Sequence, residues 1–473
     1  MSLLFVGAVG ERRNRWAALA ALYLAMFMNV LDVSVVNLAL PSIRQGLGAS
    51  DTQLEWVLVV YVLAFAAGLL PFGRFGDVAG RGRMFRWGVA GFTASSLACG
   101  LAPDITFLIA SRALQGLCAA MMVPQVLAIV HVIFPVEEKG KAIGLFGSVS
   151  ALGAVAGPLV GGVIVAADVF GLGWRPIFLI NLPVGLISLA GALRFLPHIE
   201  NESRVMPDWS GTFLFTLAVL ALVFPLVEGR QFGWPAWCFV LMGLSVVLGV
   251  LFYRLQQRRA LLGKAQLLPV LLTRDCVFVA GVAFVALFFS GLAGLFFMMA
   301  LFLQAGLGLS PMIAGLILAP HPVGVMLTST LTGRFGTRFQ AARVCLAMLA
   351  VFCALLAARL LVADRMSASL LALPFLIVGL GTGTAIPALF QLVLSRVSGP
   401  DAGAGSGVLQ AFQQIGMALG IAVQGQIFFH GLVAGSSEAF YREAAAATLL
   451  YPAGACFALT VLAAGLAYKF RSR

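Results

Sequence analysis

Apolar runs of about 18 residues or more recur along nearly the whole chain, separated by short charged or Pro/Gly-rich breaks, and each is long enough to cross a bilayer as a helix. The sequence predicts about fourteen such spans, at 16–40, 54–72, 84–102, 105–130, 141–166, 176–195, 210–227, 235–253, 276–303, 311–331, 341–362, 367–392, 404–432 and 445–468. Only 10% of the 473 residues are charged and 61% are hydrophobic, whereas a soluble chain carries about 25% charged residues. The fold class is therefore an all-α polytopic membrane protein. Residues 1–15 carry Arg12, Arg13 and Arg15 and lead into an apolar run too long for a signal peptide, so no cleavage is expected. The seven cysteines lie in or beside apolar runs without paired metal-ligand spacing and read as small buried residues rather than disulfide partners.

Orientation follows from the basic breaks. If the N-terminus is cytoplasmic, the same side receives clusters such as Arg74/Arg81/Arg83/Arg86, Arg254/Arg258/Arg259/Lys264/Arg274 and Arg334/Arg338/Arg343, while the other side receives only isolated arginines such as Arg44 and Arg175. That asymmetry is the positive-inside pattern for an even number of spans, so both termini are expected in the cytoplasm. The net charge of +12 then implies anionic lipid of the cytoplasmic leaflet as a partner, and no nucleic acid. Most of the tryptophans fall at predicted helix ends, where the ring suits the membrane interface.

An internal repeat organises the spans. Gly73-Arg74-Phe75-Gly76, after the second span, recurs letter for letter as Gly333-Arg334-Phe335-Gly336 after the tenth. Each copy should follow two helices of a six-helix half, which leaves the spans at 210–227 and 235–253 as an inserted pair. The expected divisions are 1–203 for the first half, 204–262 for the insertion and 263–473 for the second half. Halves related in this way flank a midplane site in many transporters.

Asp32 sits in the middle of an apolar run. A charged carboxylate at that depth costs roughly 2.5–3.5 kcal/mol on insertion scales, so it reads as a proton or cation site. Arg112 lies about seven residues inside the fourth span, roughly 10 Å at 1.5 Å per residue. It either acts electrostatically on Asp32 or snorkels and pairs with backbone carbonyls. In the fifth span Gly153, Gly157 and Gly161 recur every fourth residue and make a stripe for close helix packing, with Pro158 adding a kink and Gly162 following.

Taken together, Leu31-Asp32-Val33-Ser34-Val35-Val36-Asn37-Leu38-Ala39-Leu40-Pro41, Arg112-Ala113-Leu114-Gln115-Gly116, Gly157-Pro158-Leu159-Val160-Gly161-Gly162 and Trp174-Arg175-Pro176-Ile177-Phe178-Leu179-Ile180-Asn181-Leu182-Pro183 resemble the motifs of the major facilitator superfamily. Within it, the chain is similar to the fourteen-helix drug/proton antiporters over nearly its whole length. The resemblance implies the major facilitator fold, two six-helix halves plus two inserted helices, in the bacterial cytoplasmic (inner) membrane. It implies proton coupling at Asp32 and Arg112, an antiporter motif at Gly153, Gly157, Pro158, Gly161 and Gly162, and a cytoplasmic latch at Gly73, Asp77, Arg81 and Arg83. In the latch a Gly-rich turn brings two helices close, and Asp77 caps a helix or pairs with an arginine across the halves. The second copy has Thr337 in place of Asp77.

Candidate substrate contacts are Asn29, one helix turn from Asp32, Gln304, His321, and Gln410 and Gln414 on a stripe continued by Met417, Ile421 and Gln424. The stripe lines a cavity or serves as interhelical glue. His321, between Pro320 and Pro322, either titrates or bonds a carbonyl that the prolines free. The expected function is proton-coupled export of lipophilic compounds by alternating access. A lone acidic residue permits cation recognition without demanding it. Export of one endogenous metabolite, of antibiotic or siderophore type, and a non-transporting receptor on the same scaffold are the alternatives. One proton crossing about 150 mV supplies roughly 3.5 kcal/mol, so no cofactor is needed beyond the proton gradient. No phosphate-cradling Gly-x-x-x-x-Gly-Lys-Ser/Thr motif and no nucleophile with its base is recognisable, so an enzyme is not expected. The partners are the small-molecule substrate, protons and lipid, and the chain reads as a monomer.

Overall fold

In the computed structural model, residues 2–168, 171–197, 208–229, 231–264, 266–332, 340–394, 402–432 and 437–471 are described. Among them the chain is helical throughout, with no strand. The first five helices are long: α1 (Ser2–Leu47), α2 (Asp51–Ala79), α3 (Arg81–Gly100), α4 (Ile105–Ile133) and α5 (Val136–Ala167). Short polar residues start several helices by accepting their free N–H groups. Ser50 and Gln53 form a reciprocal capping box at α2, and the Asp104 carboxylate accepts from Phe107 N at 2.8 Å before α4.

Each expected span falls on one helix or on two in line, and the broken ones share a cause. The sixth span divides into α6 (Pro176–Leu179) and α7 (Asn181–Phe195). The inserted pair is α8 (Trp209–Glu228) and α9 (Ala236–Leu261), and α10 (Cys276–Leu301) runs on through a π turn at Phe302–Gly306. The tenth span divides into α11 (Pro311–Leu318) and α12 (Pro320–Thr332). Then come α13 (Gln340–Ala363), α14 (Ala372–Leu394) and α15 (Ala402–His430), and the last span divides into α16 (Glu438–Thr448) and α17 (Leu450–Arg471). Pro183, Pro322 and Pro452 each stand four residues past the final residue of α6, α11 and α16. There the ring collides with that residue's carbonyl and offers it no N–H.

Eleven of the described helical segments are long and apolar enough to cross a membrane. The helices α3, α5 and α15 are outside that set: α3 opens on Arg81, Arg83 and Arg86, α15 is punctuated by glutamines, and in α5 the described apolar stretch, Ala156–Ala167, is short. The last expected span also begins early, since α16 starts at Glu438 rather than near 445.

Helix packing follows one scheme twice. Among α1–α7, α1 packs on α5 and α7, α2 on α4, and α3 on α4 and α7. From α10 onward, α10 packs on α15 and α17, α12 on α14, and α13 on α14 and α17. Across the two sets α2 meets α15, and α5 meets α11 and α12. The helix α8 lies on α9 and also touches both α2 and α15. Two hydrogen bonds pin its end: Trp56 Nε1 donates to Glu228 at 2.6 Å, and Gln426 Nε2 to Leu226 O at 2.6 Å. Side-chain-free contacts make the closest approaches. Gly153, Gly157 and Gly161 of α5 face Val30, Ser34 and Val35 of α1, and Gly416 and Gly420 of α15 face the Ala286 and Ser290 carbonyls of α10.

A methyl group at Gly157 would overlap the Ser34 side chain, whereas one at Gly243 of α9 would meet nothing within 4 Å. Gly157→Ala should therefore lose stability by about 1–3 kcal/mol, as overpacked cores do. Gly243→Ala should be neutral or up to about 1 kcal/mol more stable through helix propensity. Thermal unfolding of the two variants in detergent checks this contrast.

Candidate functional site

Asp32 and Arg112, eighty residues apart in sequence, meet inside the first set of helices. Both are fully buried, and Arg112 Nη1 donates to Asp32 Oδ2 at 2.6 Å. The other carboxylate oxygen is occupied too: Asp32 Oδ1 accepts from Gln115 Nε2 at 3.0 Å and from Asn181 Nδ2 at 2.9 Å. Arg112 also donates to the Gln115 side-chain oxygen at 2.7 Å and to Val57 O at 3.2 Å, and its guanidinium lies 4.2 Å above the Tyr61 ring. Ser96 Oγ accepts from both Gln115 and Asn181 and donates to Phe178 O. Groups from six helices, α1 to α4, α6 and α7, thus join one network, and the carboxylate itself is saturated from α4 and α7. Such saturation is what a buried ion pair needs, since desolvation costs several kcal/mol per ion and only close, fully bonded geometry offsets it.

The pair borders a cavity of about 170 Å³ between the two helix sets. Val33, Ser34 and Asn37 of α1, Leu58, Tyr61 and Val62 of α2, Arg112 of α4 and Pro158 of α5 form one wall. Phe289, Leu292, Ala293 and Phe296 make a single stripe of α10 on the other, completed by His321 and Pro322 of α12 and Met417 and Ile421 of α15. Arg112 therefore belongs both to the ion pair and to the cavity wall. The volume only slightly exceeds the roughly 150 Å³ that admits benzene, so a drug-sized ligand requires the walls to part.

The other sequence-derived candidates are scattered around this centre. His321 lines the cavity, its ring edge-on to Phe296 at 4.9 Å between centroids. Its Nε2 has no hydrogen-bond partner, so the expected bond from the ring to a freed carbonyl is not made by that atom. Asn29 is buried and accepts from the Tyr61 hydroxyl at 2.7 Å, which orients a wall residue without reaching the cavity. Gln304 spends its amide on Leu38 O at 2.9 Å and Ala300 O at 3.3 Å, tying α1 to the π turn, and does not line the cavity. Along the α15 stripe the cavity receives Met417 and Ile421, not Gln410 or Gln414, while Gln424 donates to Ser290 O and Gly291 O as a tie to α10. Gly162 and Gly315 let α5 and α11 touch, through Pro311 and Pro158.

At the other end of α2, Gly73 faces Pro124, and Gly76 leaves room for Gln125, which donates to Phe72 O at 3.0 Å. Arg81 donates to Ala128 O at 3.2 Å, while Arg83 is exposed. The Asp77 side chain and the repeat copy at 333–337 lie outside the described residues.

A profile described as Major Facilitator Superfamily matches residues 22–421, most of the chain and every helix that lines the cavity. The chain belongs to the major facilitator superfamily. A probable actinorhodin transporter of Streptomyces coelicolor is 41% identical over 450 residues, covering 93% of this chain and 77% of that protein. The multidrug resistance protein Stp of Mycobacterium tuberculosis is 32% identical over 421 residues, covering 88% and 76% respectively. The crystal structure of a peptide transporter in complex with sulfate superposes with a TM-score of 0.68 over 96% of this chain and 94% of that one. At 14% identity this last match concerns the fold alone.

Several residues of this facilitator site were not singled out from sequence. Gln115 is one turn beyond Arg112 on the same face, and Asn181 is an isolated amide inside an apolar span. Both patterns are readable. Tyr61 and Ser96 give no pattern, because apolar helices routinely carry Tyr and Ser. Glu55 is a second fully buried carboxylate, close to Gly425 where α2 meets α15. Removing one member of a buried pair typically costs about 3–5 kcal/mol. Arg112→Gln should be destabilised on that scale, and the double variant Asp32→Asn/Arg112→Gln should recover more than 1 kcal/mol of it, which a double-mutant cycle on unfolding temperatures measures.

Proposed function

We propose that the chain is a proton-coupled exporter of lipophilic compounds, an antiporter working by alternating access with Asp32 as the exchange site. The observation that carries this reading is the double position of Arg112, bonded to Asp32 at 2.6 Å and lining the cavity wall. A ligand in the cavity and a proton on Asp32 then act on the same guanidinium, so occupancy by one changes the energy of the other. A mostly apolar and aromatic wall suits lipophilic compounds. The relatives named as an antibiotic transporter and as a multidrug resistance protein agree with export of toxic compounds.

In this reading the chain has fourteen spans in the bacterial inner membrane, with both termini cytoplasmic. The halves 1–203 and 263–473 rock about the cavity, the segment 204–262 lies outside them, and the chain acts as a monomer. Export of a single endogenous metabolite is the second reading, favoured by the 41% identity to a transporter named for one compound. Competition among unrelated compounds separates the two: mutual inhibition marks a broad exporter, and its failure marks a narrow one.

Asp32→Asn should abolish uncoupler-sensitive export, a loss of more than tenfold, while the protein still inserts in the membrane. Efflux of a fluorescent lipophilic compound from cells, with and without a proton uncoupler, reads the effect. Unchanged efflux by a normally inserted variant would refute the assignment.

A further inference from the structure

The cavity wall carries charge in an unusual balance. Among the described residues no acidic side chain lines it; its ionisable groups are Arg112, His321 and the Tyr61 hydroxyl. Asp32 is fully buried behind Arg112, and its two oxygens already accept three hydrogen bonds. Around Asp32 the titratable neighbours are Arg112 of α4, Tyr61 of α2, and Cys99 of α3, the last 3.7 Å from the Gln115 oxygen. A cation in the cavity therefore finds no carboxylate to touch.

From this lining we propose that the exporter exchanges protons for neutral, flat aromatic compounds bearing a hydroxyl or carbonyl, and discriminates against organic cations. The inference rests on the proton-exchange reading above and adds the substrate class. With Asp32 ionised, the Asp32–Arg112 pair is neutral overall, and an uncharged ring stacks beside Tyr61, Phe289 and Phe296. Its oxygen meets His321, whose Nε2 has no partner, or Asn37, which lines the same space. With Asp32 protonated, Arg112 is an uncompensated cation in the wall. Such a group draws in water and anions and disfavours an apolar occupant. Neutral ligand and proton thus exclude each other, as antiport requires. An anion gains from the protonated state and so binds together with the proton, while a cation is repelled in that state and unpaired in the other.

The test is ligand binding to the purified full chain in detergent, at several pH values, with an indicator dye reporting proton release. Three probes share one small ring system and differ in charge: 2-naphthol, a naphthalene sulfonate and a naphthalene bearing a trimethylammonium group. The expected result is that naphthol binds, releases protons, and tightens by up to about tenfold per pH unit as pH rises through the range of proton release. The sulfonate should tighten as pH falls and take protons up, and the ammonium probe should bind at least tenfold more weakly than naphthol. Asp32→Asn should abolish the pH dependence for both naphthol and sulfonate, with naphthol weakened and sulfonate retained. His321→Leu should weaken naphthol while leaving its proton release intact. Tighter binding of the ammonium probe with proton release, or no naphthol binding, would overturn the charge selectivity and leave proton exchange standing. Naphthol binding that is indifferent to pH and to Asp32→Asn would overturn both.

Discussion

The buried Asp32–Arg112 pair is the constraint around which the first half of this transporter is arranged. An ion pair in a low-dielectric interior persists only when its remaining lone pairs and protons are bonded. Here that requirement recruits Gln115 from the same helix as Arg112, Asn181 from α7, the Val57 carbonyl from α2 and Ser96 from α3. No two of these helices can shift independently without stranding a polar group. The half is therefore held by polar geometry at its centre and by apolar packing around it, in keeping with a rigid body that moves as a unit.

The second half repeats the helix packing but not the chemistry. Where α1 carries a carboxylate, α10 contributes a phenylalanine stripe, and the tie between α10 and α15 is an uncharged amide, Gln424 to the Ser290 and Gly291 carbonyls. The two halves thus divide the labour in this reading: the buried ion pair lies on one side of the cavity, and a phenylalanine stripe with His321 on the other. The glycine seams fit the same division. Contacts through Gly162 on one side and Gly315 on the other bring the backbones of α5 and α11 together without interlocking side chains, so this seam can slide or part without forcing rotamers over barriers.

Much of this architecture is written in the chain at a level that simple rules reach. Run lengths place the spans, and the recurrence of Gly-Arg-Phe-Gly points to two halves whose helices pack alike. Asp32 and Arg112 stand out because charge at membrane depth is costly. What the rules miss has a common physical origin. A glutamine costs little in an apolar helix whether it faces a cavity or a neighbouring backbone, so Gln304 and Gln424 cannot be told apart from Gln410 and Gln414 by type or spacing. Their roles depend on which carbonyl lies across the interface, a fact of tertiary packing. Glu55 escaped notice for a related reason: it sits one turn into α2 beside the cap at Ser50 and Asp51, where an acidic residue is ordinary, and its burial comes from α15.

The same distinction separates a proton site from a substrate site. Depth alone suggests that a membrane carboxylate meets a cationic substrate directly, yet the hydrogen bonds around Asp32 leave its charge facing Arg112, Gln115 and Asn181 rather than the cavity. What the cavity sees is the guanidinium, and in the proposed mechanism a proton on Asp32 would leave that guanidinium uncompensated. Coupling in such a site needs no contact between substrate and carboxylate. It needs only that a shared residue change its effective charge, and Arg112, anchored by Val57 and Tyr61 against swinging away, is held where that change reaches the cavity.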